Sequence, residues 1–409
     1  MTNRKEKSVL ERLIEVNPEA EIWWDSSPVI YDDWAQDVLK EIPEEDKKIV
    51  QKQLKKFYNL EDPKSMLFRG VTTNPSLSMA VFEIQKAYWE KFVDGLIDKN
   101  PEIDQEGLFW MTYKEIVKRG AQMYLPLFEK SNHKNGYISA QVDPRDVDNK
   151  EKMLEQAYDL VKLSPNVMIK IPGSKQGYEV IKILTSKGIA TNNTLSFILP
   201  QFMACANAVK EGLEIAKKNK VDLTRWRSVI TDMMARWGDM GDLQGKGREI
   251  GIELSEADVR CAEIAIIKKA HKILKEKNHP SKMLVCSMRV SPPLDDKKVA
   301  VWHLEKIAGG NFVYTCPPKF IKDLILKCDD LEFRNQIDEE IPKKVFDKLL
   351  KVPYFAQAYF EDGLTADEFI DHPAVVATAK EFSKRTIGMV DFVSSRLEKK
   401  EKQINIKET

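Results

Sequence analysis

Eight short apolar runs, each followed by a longer polar or amphipathic stretch, constrain this chain more than any other feature. They lie at about residues 21–26, 66–73, 136–142, 167–172, 188–194, 227–231, 282–288 and 311–315. Several intervening stretches carry helical periodicity, at 146–163, 176–186, 197–219 and 255–278. Alternation of this kind favours a parallel sheet covered by helices. Eight such units point to a closed (β/α)8 TIM barrel, an α/β fold. An open doubly wound sheet is the competitor, but no Gly-x-Gly-x-x-Gly phosphate turn follows the first run. The expectation is one domain over 1–409. Its barrel core spans about 20–330, with charge-rich helices inserted at 31–60 and a helical C-terminal extension over about 331–409.

Local signals refine this outline. Ser255 can cap a helix over 256–278, with acidic residues in its first turn. Thr365 with Glu368 reads as a capping box for a C-terminal helix. Gly238, Gly241, Gly245 and Gly247 predict a mobile loop after the sixth strand, either a closing flap or a solvated connector. The lysine- and glutamate-rich tail 396–409 predicts a frayed, solvated end.

The fourth run, Val167-Met168-Ile169-Lys170-Ile171-Pro172, places one lysine among aliphatic residues. Burying the charged amine is costly, and desolvation favours its neutral form. A neutral, desolvated amine is a nucleophile toward a carbonyl carbon, with a Schiff base as product. A snorkelling lysine on an edge strand is the alternative. In a barrel the chemistry gathers at the C-terminal ends of the strands. The polar residues closing the runs are Asp25, Asn74, Gln141, Lys170, Asn192 with Thr194, Thr231 with Arg236, and Ser287 with Arg289. Taken singly, each could be a turn or a helix cap. Taken together they supply a Schiff-base amine, a carboxylate acid/base in Asp25, amides and hydroxyls suited to a sugar chain, and two guanidinium groups suited to a phosphate.

Charge and cysteine usage exclude other classes. Lysine plus arginine equals aspartate plus glutamate, 64 each, so no global field draws nucleic acid or an anionic membrane. Cys205, Cys261, Cys286, Cys316 and Cys328 form no CxxC, so neither a disulfide framework nor a zinc site is indicated. His133, His271, His279, His303 and His372 are scattered, none closing a strand, and read as surface or packing residues rather than metal ligands. The polar N-terminus and the lack of any apolar run near the roughly 18 residues of a membrane span predict a reduced, cytoplasmic setting.

Five motifs carry a resemblance. Gly70-Val-Thr-Thr-Asn74-Pro-Ser-Leu77, Ile138-Ser-Ala-Gln141-Val-Asp-Pro-Arg145, Ile169-Lys170-Ile-Pro172 and Asn192-Asn-Thr194-Leu-Ser-Phe197 closely resemble transaldolases, and Cys286-Ser-Met-Arg289 is similar to that family's seventh-strand motif. The resemblance runs in order from about Trp23 to Pro318. It implies a metal-free and cofactor-free class I aldolase barrel that moves a dihydroxyacetone unit between sugar phosphates. It implies Lys170 as the Schiff-base lysine, Asp25 as acid/base, Asn74 and Asn192 as residues holding the intermediate, and Thr194 as a holder of the catalytic water. It implies Arg236 and Arg289 as phosphate ligands, with Ser287 beside the second and Thr231 where the family usually has serine. A homodimer is compatible with it.

Three departures stand out. Gln141 occupies the place of a glutamate that shuttles protons through a water, and fructose-6-phosphate aldolases, which are related, have glutamine there. Met233 replaces the tyrosine of those aldolases and the phenylalanine of transaldolases. The chain is also longer than the usual transaldolase between Asp25 and Asn74 and at the C-terminus. Three functions follow in order: a transaldolase-type transferase, an aldolase of altered substrate range, and a silent barrel kept for binding. The Lys170/Asp25 pair argues against the last.

Overall fold

In a computed structural model, which describes residues 4–294 and 298–407, all eight runs are strands. They are β1 (Glu21–Trp24), β2 (Phe68–Thr72), β3 (Tyr137–Gln141), β4 (Val167–Pro172), β5 (Thr191–Thr194), β6 (Ser228–Asp232), β7 (Lys282–Val285) and β8 (Phe312–Cys316). They pair in parallel and in sequence order, and β1 pairs β8 to close the barrel. The helical stretches lie between them as the alternation predicts.

Burial follows from closure. Only Glu21, Arg69 and Lys282 among the strand residues retain appreciable exposure, all at or next to a strand's start. Glu21 receives Arg227 at 2.7 Å and Lys282 at 2.8 Å. Burial alone would raise its pKa, but these two cations outweigh burial and hold it at about 2. The N-terminal end is thus closed by an ion cluster, leaving the C-terminal end for chemistry. Above the cluster the indole of Trp23 fills the space at Gly70. A Cβ on Gly70 would come within 2.5 Å of that ring, so only glycine lets β2 pass.

The helices inserted after β1 are Tyr31–Glu41 and Glu44–Phe57. They bury the outer face of β1: Trp24 lies 4.8 Å from Trp34 and 5.4 Å from both Tyr31 and Phe68, ring centroid to centroid. Ser255 caps Glu256–Glu276 through a full capping box, and the helix stops where Asn278 takes φ 47°.

Three expectations are corrected. The stretch with Gly238 to Gly247 is not a loop but two short helices, Met234–Met240 and Leu243–Arg248. Gly238 is there for close approach, because a Cβ would strike Glu263 and Val259 of the neighbouring helix. Thr365 and Glu368 do bond to each other, but they cap a turn before Phe369–Asp371. The long helix Pro373–Lys407 starts later, at a proline that bars the helical conformation for His372 before it. As far as Lys407 the tail is that helix's end rather than a frayed segment, and residues 408 and 409 lie outside the described residues. Arg396 grips Asp94 at 2.6 and 2.9 Å, and Lys400 meets Asp98 at 2.6 Å. Charges four apart on the tail match carboxylates four apart on Lys86–Lys99.

The C-terminal helix packs on Pro75–Ile84, on the turn Pro144–Asp146 and on Met234–Met240. These segments follow the C-terminal ends of β2, β3 and β6, so the helix lies across the barrel mouth. Phe392 stacks on Phe82 with centroids 4.5 Å apart. Among the described residues, no helix is long and apolar enough to cross a membrane.

Candidate active site

Strand register brings the site together. Gln141 on β3 pairs with Lys170 on β4, and Lys170 with Asn192 on β5. Residues in register on adjacent strands point to the same side of the sheet, so all three share the lumen. The Lys170 amine donates to the Thr73 carbonyl at 3.3 Å, at the end of β2, two strands from its own.

Asp25 follows β1, and its N–H continues the ladder to the Cys316 carbonyl at 3.0 Å. The Thr72 hydroxyl donates to Asp25 Oδ1 at 2.6 Å. Thr72 has then spent its one proton, so its close contact with the Thr315 hydroxyl is a donation from Thr315. Burial pushes the Asp25 carboxyl above its usual value, opposed by Lys170 and by the Thr72 bond. Burial likewise pushes the Lys170 amine below its usual value, opposed by Asp25 and Cys286. Both shifts favour the uncharged forms, as a nucleophilic amine beside a proton-carrying carboxyl requires.

Below Lys170, a short relay ties three strands. The Thr231 hydroxyl donates to Asn192 Oδ1 at 2.7 Å, and Asn192 Nδ2 donates to Ser139 at 2.9 Å. Asn192 is therefore not the turn or cap its type allows but a fixed, fully buried crosslink. Thr194 faces Met233 with its hydroxyl 3.9 Å from the sulfur. Asn74 does act as a cap, its side-chain oxygen accepting from the Leu77 N–H at 3.0 Å at the head of Pro75–Ile84.

Gln141 is clamped through its backbone. Tyr113 Oη accepts from the Gln141 N–H at 3.0 Å and donates to the Gln141 carbonyl at 2.8 Å. Its side-chain Oε1 is buried and has no partner among the described residues. An acceptor left unpaired in a core is costly, so its place in the lumen suits a ligand donor. A cavity of about 10 Å³ lies against Gln141, Thr386 and Met389, the last two on the C-terminal helix.

The two arginines reach the mouth in different ways. Arg236, on Met234–Met240, is engaged by Glu381. Its charge is felt at both Asp25 and Lys170. Arg289 lies past β7 and is partly exposed; it donates to Asp239 at 3.2 Å and to the Ser287 carbonyl at 2.9 Å. Ser287 turns the chain there with φ 59°, in the left-handed region that favours glycine. The Arg289 N–H donates to His303 Nδ1 at 3.0 Å. That bond makes Nδ1 the acceptor, so Nε2 carries the proton and donates to Glu263 at 2.6 Å. Arg260 joins Glu263 to Asp239, closing the ring.

Sequence reading missed Thr72, Thr315, Ser139 and Tyr113, and the thiol of Cys286, which burial and the nearby Asp25 push up to about 12. Alternation along β2, β3 and β8 could have pointed to the first three. One further expectation is corrected: His303 is a fully buried support of Arg289, not a generic packing residue. A second carboxylate, Asp232, ends β6. Asp232 follows lumen-facing Thr231 and so points outward, where burial and Glu263 raise its pKa well above the usual range.

A sequence profile of the "Transaldolase/Fructose-6-phosphate aldolase" family matches residues 55–371. "Transaldolase 1" of Streptomyces avermitilis is 34% identical over 169 residues, 41% of this chain and 44% of that protein. The "Transaldolase" of Kocuria rhizophila is 31% identical over 170 residues, covering 41% and 45%. That of Thiobacillus denitrificans is 30% identical over 202 residues, covering 48% and 55%. The chain spans about half the length of the curated relatives it matches.

Proposed function

Given that the chain belongs to the transaldolase/fructose-6-phosphate aldolase family, we propose that it moves a dihydroxyacetone unit between sugar phosphates through a Schiff base on Lys170. The observation that carries this reading is the Lys170–Asp25 pair at the C-terminal end of the barrel: a buried amine and a half-buried carboxyl, each under the other's charge, with pKa values displaced in opposite directions. The neutral amine attacks the donor's ketone carbon, the protonated Asp25 carboxyl gives its proton to the departing hydroxyl, and water leaves to give the iminium. Asp25, now a carboxylate, takes the proton of the hydroxyl on the far carbon of the bond that breaks. The electron pair of that carbon–carbon bond flows into the iminium, the aldehyde departs, and an enamine remains on Lys170. Addition of the enamine to an acceptor aldehyde reverses the steps, and water then releases the new ketose.

The other site residues take supporting roles in this proposal. Asn192, Thr231 and Asn74 hold sugar hydroxyls, Thr194 and Gln141 hold the hydrolytic water, and Arg236, Arg289 and Ser287 hold phosphate. No metal or other cofactor is needed for these steps. Sugar phosphates of the pentose phosphate pathway are the substrates proposed, and their charge, which keeps them within a cell, places the activity in the cytoplasm. One observation favours a second reading, plain aldol cleavage. The amide of Gln141 can hold a water through its unpaired Oε1 but cannot take a proton from it.

The test is covalent. Borohydride added with fructose 6-phosphate is expected to add mass to the peptide carrying Lys170. A label on another lysine, or none, refutes the mechanism. The ratio of transfer product to free dihydroxyacetone, with an aldehyde acceptor present, separates the two readings.

A further inference from the structure

The C-terminal helix brings a carboxylate to the place where the phosphate reading wants an anion. Glu381 meets Arg236 in fork-to-fork geometry, Nη1 to Oε2 at 2.6 Å and Nη2 to Oε1 at 3.1 Å. A guanidinium offers phosphate the same two parallel donors. Arg236 also lies over the Phe382 ring at 5.4 Å, which fixes its plane. Arg385, one turn along the helix, and Arg289 from beyond β7 add their charge to that of Arg236 at the Glu381 carboxylate. Three arginines from three segments thus converge on one carboxylate, at the end of the barrel that holds Lys170.

Nothing in the packing of the helix requires that carboxylate. Phe382, Met389 and Val393 bury the helix, while the Glu381 side chain keeps 40% of its exposure. A half-exposed carboxylate rehydrates readily when displaced, and Arg385 stands four residues on, where a helical neighbour can receive it. A phosphate carries about 1.5 to 2 negative charges near neutrality and outcompetes a single carboxylate for the same fork.

We propose that Glu381 is a resident anion in the phosphate subsite, and that a phosphorylated sugar binds by displacing it from Arg236. Glu381 is then a specificity-determining residue. The energy of its pair with Arg236 is subtracted from the binding of every phosphorylated sugar and from that of no unphosphorylated one. This inference rests on the reading of Arg236 and Arg289 as the phosphate site.

The full-length protein, its Glu381→Gln variant and its Glu381→Asp variant are titrated with inorganic phosphate by calorimetry. A charge-assisted bond at the low end of its range corresponds to roughly tenfold in affinity. Glu381→Gln is therefore expected to bind phosphate roughly tenfold tighter, and Glu381→Asp, with a shorter reach, to fall between. The KM for fructose 6-phosphate falls with the same order among the three proteins. Unchanged or weaker phosphate binding in Glu381→Gln overturns the proposal and makes Glu381 a strut that positions Arg236. Should Glu381→Gln fail to fold, Glu381→Asp decides by the same criterion. Borohydride trapping of dihydroxyacetone on Lys170 in the unaltered protein separates the two readings. Trapping without a change in phosphate affinity sinks the role of Glu381 alone; tighter phosphate binding without trapping sinks the Schiff-base mechanism alone.

Discussion

Gln141→Glu puts a carboxyl beside Lys170, the amine proposed to react, and the structure sets two opposing effects. Gln141 and Lys170 are register partners on adjacent strands, about 4.8 Å apart along the hydrogen-bonding direction. A proton-exchanging carboxyl there adds general acid–base help of about 10²–10⁴-fold to the steps that move water and protons. The same carboxylate favours the charged form of Lys170. An opposite charge at this range lowers the free-amine fraction by about 10- to 10³-fold. Near neutral pH the net expectation is a rise in transfer of about tenfold, with the full gain appearing only above the raised lysine pKa. The site is 2% exposed, so burial works against ionisation of the new carboxyl and spreads its titration into the range where activity is measured. The assay follows fructose 6-phosphate with and without an aldehyde acceptor, from acid to alkaline pH, in both proteins. It records transfer and free dihydroxyacetone separately. If neither rate nor their ratio moves at any pH, Gln141 does not meet the reacting water. A loss at every pH means that the amide fits a substrate other than the common pentose-pathway sugars.

Asp25→Asn keeps an acceptor for the Thr72 hydroxyl and so is expected to fold, with kcat lower by about 10²–10⁴-fold. In the unaltered protein the free amine of Lys170 appears as pH rises, through a lowered pKa, while the proton-carrying form of Asp25 is lost, through a raised one. Transfer is therefore expected to rise and then fall with pH, and Asp25→Asn removes the fall due to the carboxyl; an identical pH profile in a slower enzyme contradicts the assignment. Arg289→Ala leaves Asp239 still paired with Arg260, so the fold is expected to hold. Binding of fructose 6-phosphate is expected to weaken by about 1.5–3 kcal/mol, one to two decades, while free dihydroxyacetone is far less affected. Equal losses for both ligands indicate general damage instead.

What the sequence determined by itself is the barrel, and it also singled out Lys170 as the amine proposed to react. Eight runs at regular spacing have few ways to bury themselves, and closure is the one that leaves no edge. A lysine between Ile169 and Ile171 has few ways to be satisfied other than by losing its charge. Strand-end position then named Asp25, Gln141, Asn192 and Thr231, because the ends of parallel strands converge whatever the helices do. The partners of those residues were decided only by the tertiary structure. The Thr315–Thr72–Asp25 relay joins β8, β2 and the end of β1, and the Tyr113 clamp on Gln141 joins a helix to a strand 28 residues away. No local pattern encodes such distances. The same holds for Ser287 and Arg289, which the seventh run places at a strand end but which lie past one, turned by a positive φ. It holds most for the tail. Lysines and glutamates repeating at 396–402 read as solvated because a charge run is cheapest in water, unless another helix presents the opposite charges at the same spacing. Asp94 and Asp98 do so from about 300 residues away, and the helix they secure carries Glu381 to Arg236.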